Sequence, residues 1–139
     1  MAYADLTIAA RDAIVAADLD VAGVYIAGGV PEGATLPYLT ILPDQTTTQR
    51  LADRSFLVSD TIVVDVYDWT LIGAMALSDS VESTLSGLSV AAEDETIRGL
   101  AEDGTWRDVL GPVASPEGKV FYRISVELTY ERLRKVAEV

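Results

Sequence analysis

The chain contains no cysteine and no histidine. The first absence rules out disulfides and thiolate zinc sites. The second removes the commonest transition-metal ligand, and the two together exclude Ser-His-Asp and Cys-His catalysis. Carboxylate chemistry with Mg²⁺ or Ca²⁺, and Lys, Tyr or Ser chemistry, remain open. Positive charge is also scarce: 10 Lys and Arg stand against 22 Asp and Glu, a formal net charge of −12. Such a surface repels a phosphate backbone. Solubility is the plain reading of that balance; the sharper one is a surface that sits near nucleic acid without holding it. No apolar run is long enough to span a bilayer, and the N-terminus lacks the basic, apolar and small-residue order of a signal peptide. A soluble intracellular product with no membrane partner is the expectation.

The 139 residues, half of them apolar, point to one domain over 1–139. A domain of this length buries roughly two thirds of its unfolded surface, enough for a real core. The organising stretch is Phe56 to Leu88. It opens with a β-branched strand pattern, Thr61 to Tyr67, in which Ile62, Val64 and Val66 share one face. Asp65 and Tyr67 fall on the other face with Val63, so this strand reads as central and covered in part on both sides. After Asp68, Trp69 and Thr70 the pattern becomes helical. Leu71, Ala74, Leu77, Val81, Leu85 and Leu88 form its apolar stripe; Asp68 or Thr70 can cap its start, and Gly87 fits a left-handed C′ position.

A first helix runs to Ala17, with Asp5 as N-cap and Leu6, Ala10, Ala13, Ile14 and Ala17 on one face. Val24 to Ile26 is a short strand or an extended arm. Leu36 to Leu42 is a strand opened by Pro37 and stopped by Pro43. Asp44 to Ser55 is polar, and reads as a long loop or a hairpin extension reaching away from the core. Glu93 to Glu95 is a solvated turn, while Thr96 to Leu100 and Thr105 to Leu110 are separate short strands. Ser115-Pro-Glu-Gly118 has the order of a type I turn. The last strand alternates cleanly from Val120 to Tyr130 and pairs with Thr105 to Val113 as a hairpin. Arg132, Arg134 and Lys135 form a local cationic cluster, read as solvated. The expected fold is α+β: a mixed four- to five-stranded sheet, packed by the N-terminal helix, Tyr3 to Ala17, and a central helix, Leu71 to Leu85.

Motifs for chemistry are weak. Gly28 to Thr35 resembles half a phosphate loop, but Ala34 stands where the lysine belongs. Asp18, Asp20 and Gly23 echo a calcium loop, but Gly29 occupies the position of the bidentate glutamate. Asp65 and Asp68 are the nearest carboxylate pair. Their odd spacing on a strand sends them to opposite faces, so they read as a surface residue and a helix cap. Tyr67, Trp69, Tyr122 and Tyr130 could line a ligand pocket, although aromatics on strands are usually core or interface. No cofactor, catalytic residue or metal site is expected.

The order of elements resembles the tail terminator (tail completion, head–tail joining) proteins of long-tailed bacteriophages. The pieces that carry the resemblance are the N-terminal helix, the Val30-Pro-Glu-Gly33 turn, Leu36-Pro-Tyr-Leu-Thr-Ile41 and the polar loop after it. They continue with a strand ending near Tyr67 and Trp69 that leads straight into a helix, and a closing hairpin whose last strand holds Phe121-Tyr-Arg-Ile-Ser-Val126. The resemblance implies a virion protein without enzymatic activity. It implies a ring, usually hexameric, on the head-proximal end of the tail tube, which stops tube growth and presents the surface for head joining. The partners it implies are further copies of the chain, the tail tube protein and a head connector or stopper, with DNA passing through the lumen unbound. It also makes the polar stretch the arm that reaches a neighbouring subunit or the tube, with Thr46, Thr47, Thr48, Gln49, Arg50 and Arg54 as the interface candidates. The alternative is a small-molecule-binding or regulatory α+β domain, which would need a deep apolar pocket with convergent polar groups.

Overall fold

The computed structural model describes residues 5–26, 28–92 and 96–135. The expected helical residues before Asp5 and the acidic run Glu93 to Glu95 lie outside them. Helix α1 (Leu6–Ala16) begins where expected by chemistry: the Asp5 carboxylate accepts from the amides of Thr7 at 2.9 Å and Ile8 at 3.3 Å. Leu6, Ala10 and Ile14 are buried. Strand β1 (Gly23–Ile26) runs parallel to β2 (Tyr38–Arg50), which is antiparallel to β3 (Phe56–Asp68). Helix α2 (Leu71–Ser86) follows β3 after two residues. The chain then forms β4 (Val90–Ala91), β5 (Ile97–Val109), β6 (Val113–Ala114) and β7 (Val120–Arg134).

These strands make one mixed sheet of seven, in the order β1-β2-β3-β7-β5-β4, with β6 also paired to β7. The α+β class holds, but the sheet is larger than the four or five strands expected. Strand β1 resolves the choice left at Val24 to Ile26 in favour of a strand, while β4 and β6 are two residues long. Strands as short as β4 and β6 show no alternation to read, and tertiary pairing alone defines them. Two other expectations are corrected. Pro43 does not stop β2: the strand passes it through an irregularity between Pro43 and Gln45 and continues to Arg50. Pro43 keeps its place opposite Ile62 and Asp44 is the residue left outside the ladder; β1 ends at Ile41, so β2 is an edge strand here, where a proline beside a bulge is tolerated. Likewise Thr96 to Leu100 and Thr105 to Leu110 are not separate strands but the two halves of β5, joined through an irregularity between Leu100 and Thr105.

The register sets the faces. Leu39 pairs with Val66 and Val66 with Ile124; Ile41 pairs with Val64 and Val64 with Val126. Period-2 alternation then puts these residues on one face with Ile62, Leu128 and Tyr130, and all are buried there with the apolar stripes of α1 and α2. Thr70 caps α2 by accepting from the Gly73 amide at 3.0 Å. Ala74, Leu77, Val81 and Leu85 of the expected stripe are buried, whereas Leu71 at the first turn is 38% exposed. Gly87 has φ −89°, so the helix does not end on a left-handed residue. Instead the Tyr130 hydroxyl donates to the Leu85 carbonyl at 2.6 Å, satisfying a last-turn acceptor from the sheet. Burial pushes the Tyr130 phenol well above its ordinary value. Arg107 of β5 also ties the sheet to α2, through Asp79 at 2.6 Å and Glu82 at 2.7 Å. Burial works against its charge, but the two carboxylates outweigh it and raise its pKa.

Candidate interaction surface

Beyond the part of the sheet that the helices cover, β2 and β3 continue as an arm. Gln45 to Arg50 pair in unbroken register with Thr61 to Phe56, and every residue from Gln45 to Arg50 is exposed. The polar stretch is thus the hairpin extension rather than the loop. Three consecutive threonines suit it, because β-branched side chains favour extended backbone. Strand β7 runs along the arm on its other side, with Leu57 opposite Leu133 and Phe56 opposite Arg134. Three paired strands make the projection stiff. At its tip the Leu51 amide donates to the Ser55 carbonyl at 2.8 Å, and Arg54 takes a left-handed φ of 69°. Asp53 accepts from the Ser55 hydroxyl and from its amide at 3.0 Å, and the hydroxyl bond is the main cause of a carboxyl pKa below the usual range.

The six candidates therefore lie on one hairpin, with Thr46, Thr47, Thr48, Gln49 and Arg50 on β2 and Arg54 in the turn. Their neighbours differ. Thr46 donates to Asp60 at 2.7 Å. Of the chain's basic residues, Arg11, Arg98, Arg107, Arg123 and Arg132 make ion pairs, while Lys119 and Arg134 lie over the rings of Trp69 and Phe56. Arg50 and Arg54 make no ion pair with any described residue.

The root of the arm is a charge cluster. Asp60 lies on the helix-covered face, in phase with Ile62 and opposite Tyr130. It receives Arg98 at 3.2 Å and Arg132 at 3.8 Å, and these side chains are 16%, 9% and 10% exposed. Arg132 is thus not part of a solvated cationic tail. Sequence reasoning missed this cluster, although an acid in phase with Ile62 and Val64, and an arginine in phase with Leu128 and Tyr130, are visible signals once β3 and β7 are paired. An open cleft of about 280 Å³ borders it, lined in part by Asp5, Asp44, Asp60 and Arg98. Its charged walls differ from the apolar pocket that the small-molecule alternative needs.

The sheet face away from the helices carries an aromatic row across four strands. Tyr25 meets Tyr38 edge-on at 5.8 Å, Tyr38 stacks on Tyr67 at 4.7 Å, and Phe121 tilts against Tyr67 at 6.3 Å. Burial, then the neighbouring Tyr67 and Tyr25, raise the Tyr38 pKa. Asp65 lies beside this row and is held by Arg123 at 2.9 Å and by the Ser125 hydroxyl. Asp68 accepts from the Trp69 amide at 2.6 Å. The two carboxylates are thus engaged separately, and no group of three or more metal-ligating side chains occurs among the described residues. Tyr67, Trp69, Tyr122 and Tyr130 do not converge: Tyr130 is in the core, Tyr67 is in the outer row, and Trp69 is 43% exposed.

No family model matches the chain, and no curated protein matches it. Among solved structures, the chain is similar to one in the structure titled "Virion of native gene transfer agent (GTA) particle". The two share 15% sequence identity and superpose with a TM-score of 0.62, over 93% of this chain and 94% of that one. At this identity what the two chains share is the fold, from end to end.

Proposed function

We propose that the protein is a structural component of a phage-like virion and acts as a tail terminator: a ring, hexameric in the usual pattern of such proteins, on the head-proximal end of the tail tube. One observation carries this reading, the end-to-end likeness to a chain of a gene transfer agent virion. The terminator role comes from the order of elements in the sequence. The arm gives that role a mechanism. A stiff, exposed, three-stranded projection with two uncommitted arginines can cross a subunit boundary, where Arg50 or Arg54 meets a carboxylate of the next copy. Subunits this acidic repel one another unless contacts place basic groups against carboxylates. The remaining negative charge faces outward and into the lumen, where it keeps DNA from binding by counterion release. No step of this role needs a cofactor, a metal or a catalytic group.

The test is deletion of the gene from the virus or prophage that carries it, followed by electron microscopy of the lysate. Filled heads separated from tails of uncontrolled length are the expected result. Normal joined particles would refute the proposal. The arm is tested by Arg50→Glu with Arg54→Glu, complemented into the deletion. Separate heads and tails, with the fold intact by circular dichroism, support the arm as an interface; normal joining removes it.

A further inference from the structure

The sheet has two open edges, and they differ in chemistry. On one side β1 covers β2 only from Tyr38 to Ile41, so Gln45 to Arg50 has a ladder partner on one side alone among the described residues. On the other side β4 covers β5 only at Ile97 and Arg98, which leaves Gly99 to Val109 open in the same sense. Exposed edges are sites of unwanted pairing, and proteins usually blunt them with lysine, proline or cover. Neither stretch contains lysine or proline. The arm edge is neutral to basic, with three threonines and then Arg50 and Arg54 against Asp53 alone. The β5 edge is acidic: Glu102 and Asp103 are exposed at its irregularity, Asp108 follows, and its one cation, Arg107, is paired with Asp79 and Glu82 of α2.

We infer that the open edge of β5 is the receptor for the β2 arm of a second copy of this chain. The inference rests on the ring reading above and names the surface the arm would meet. Like charges disfavour the pairing of two arms or of two β5 edges, while opposite charges favour arm on β5. Strand direction agrees. β2 opposes β3, β3 opposes β7 and β7 opposes β5, so β2 and β5 run in opposite directions. A neighbour that keeps this sense of strand direction therefore brings its β2 antiparallel to β5, and the alternation continues across the boundary. Within one chain the arm lies level with Leu100, Gly99 and the end of β5 that β4 covers at Ile97 and Arg98. The ring axis must therefore be inclined to the strands, so that rotation also shifts the neighbour along them and sets its arm beyond Arg98, on the stretch that opens with Glu102 and Asp103. The contact uses different surfaces on the two copies, the head-to-tail type that gives a ring when its rotation closes and an open chain when it does not.

The absence of cysteine makes a clean test available. Gln49→Cys and Ala101→Cys are made as separate single variants, which leaves every charge named above in place. The two are mixed and treated with a short bis-maleimide, and a third variant with Glu117→Cys, in the exposed turn before β7, serves as the collision control. The expected product is a Gln49–Ala101 cross-link well above both same-variant links and the control. Arg50→Glu with Arg54→Glu in the Gln49→Cys chain should abolish it, and Glu102→Lys with Asp108→Lys in the Ala101→Cys chain should restore it. Links no stronger than the control, or stronger between identical variants, overturn the inference. Native mass spectrometry of the unmodified chain separates the two levels of failure. Rings without the cross-link sink the edge pairing and leave the ring reading standing. The cross-link with open chains in place of closed rings keeps the edge pairing and sinks the ring.

Discussion

Replacing Asp60 with asparagine probes how the arm is fastened to the core. The substitution keeps shape and retains an acceptor for Thr46, but removes the charge that faces Arg98 and Arg132. All three side chains are mostly buried, with exposures of 16%, 9% and 10%. Breaking a buried ion pair by removing one partner costs about 3–5 kcal/mol, because the remaining charge is left in a poor solvent. The amide keeps part of the hydrogen bonding and the residual exposure admits some water, so we expect about 2–4 kcal/mol. For a domain of this length, that corresponds to a fall of roughly 8–16 °C in melting temperature. Urea and thermal unfolding by circular dichroism measure it, and hydrogen exchange locates it. The amides of Gln45 to Arg50 should lose protection first, because their ladder partners run from Thr61 to Phe56 around Asp60. A melting temperature within ~2 °C of wild type, or a loss spread evenly over the chain, would refute the clamp.

Val81 is fully buried in the middle of α2, so Val81→Asp places an unpaired carboxylate in the core. A loss of several kcal/mol, read by urea unfolding, is expected, and a wild-type midpoint would contradict the packing described for that helix. Tyr130→Phe removes the donor to the Leu85 carbonyl and should cost about 1–2 kcal/mol at neutral pH. The same residue gives a pH signature. Its phenol, and to a lesser degree that of Tyr38, is raised in the folded state, so the unfolded chain loses its proton first. Stability is therefore full below the ordinary tyrosine pKa of about 10 and falls as pH rises above it. Unfolding measured across that range should show a shallower fall in Tyr130→Phe than in wild type; an equal fall would mean that Tyr130 is not held neutral by burial.

How far the sequence could be read depended on how far local pattern and tertiary pairing agree. The central unit was legible because it repeats one signal many times: Ile62, Val64 and Val66 at period two, then Ala74, Leu77, Val81 and Leu85 at helical spacing, all buried as their phase demands. The N-cap Asp5 was legible for a local reason, since a short oxygen-bearing side chain before an apolar run satisfies free amides; the same reason narrowed the second cap to Asp68 or Thr70, and the structure selects Thr70. Pro43 misled because a proline ends a regular ladder and a bulge is invisible without the partner strand. The irregularity between Leu100 and Thr105, which holds Gly104, hid the continuity of β5 in the same way. A Cβ on Gly104 would stand 2.7 Å from the Thr129 carbonyl oxygen, so glycine marks a close approach to β7 and not a strand end. The Asp60 cluster lay beyond reach because its members are 38 and 72 positions apart and meet only through β3–β7–β5 pairing.

The distribution of charge gives the arm its meaning. With 10 cations against 22 acids, a chain of this kind gains most by placing each cation where it neutralises an acid that folding brings close. Arg98 and Arg132 do so at the arm root, Arg107 on α2 and Arg123 on the outer face. Each of these spans two elements and fastens them. Arg50 and Arg54 stand at the far end of a projection that the root cluster and a three-stranded ladder hold rigid, with no acid of the described residues in contact. Under the ring reading proposed above, rigidity at the root would lower the entropy lost on docking, and the uncommitted charge at the tip would supply the complement that an acidic neighbour requires.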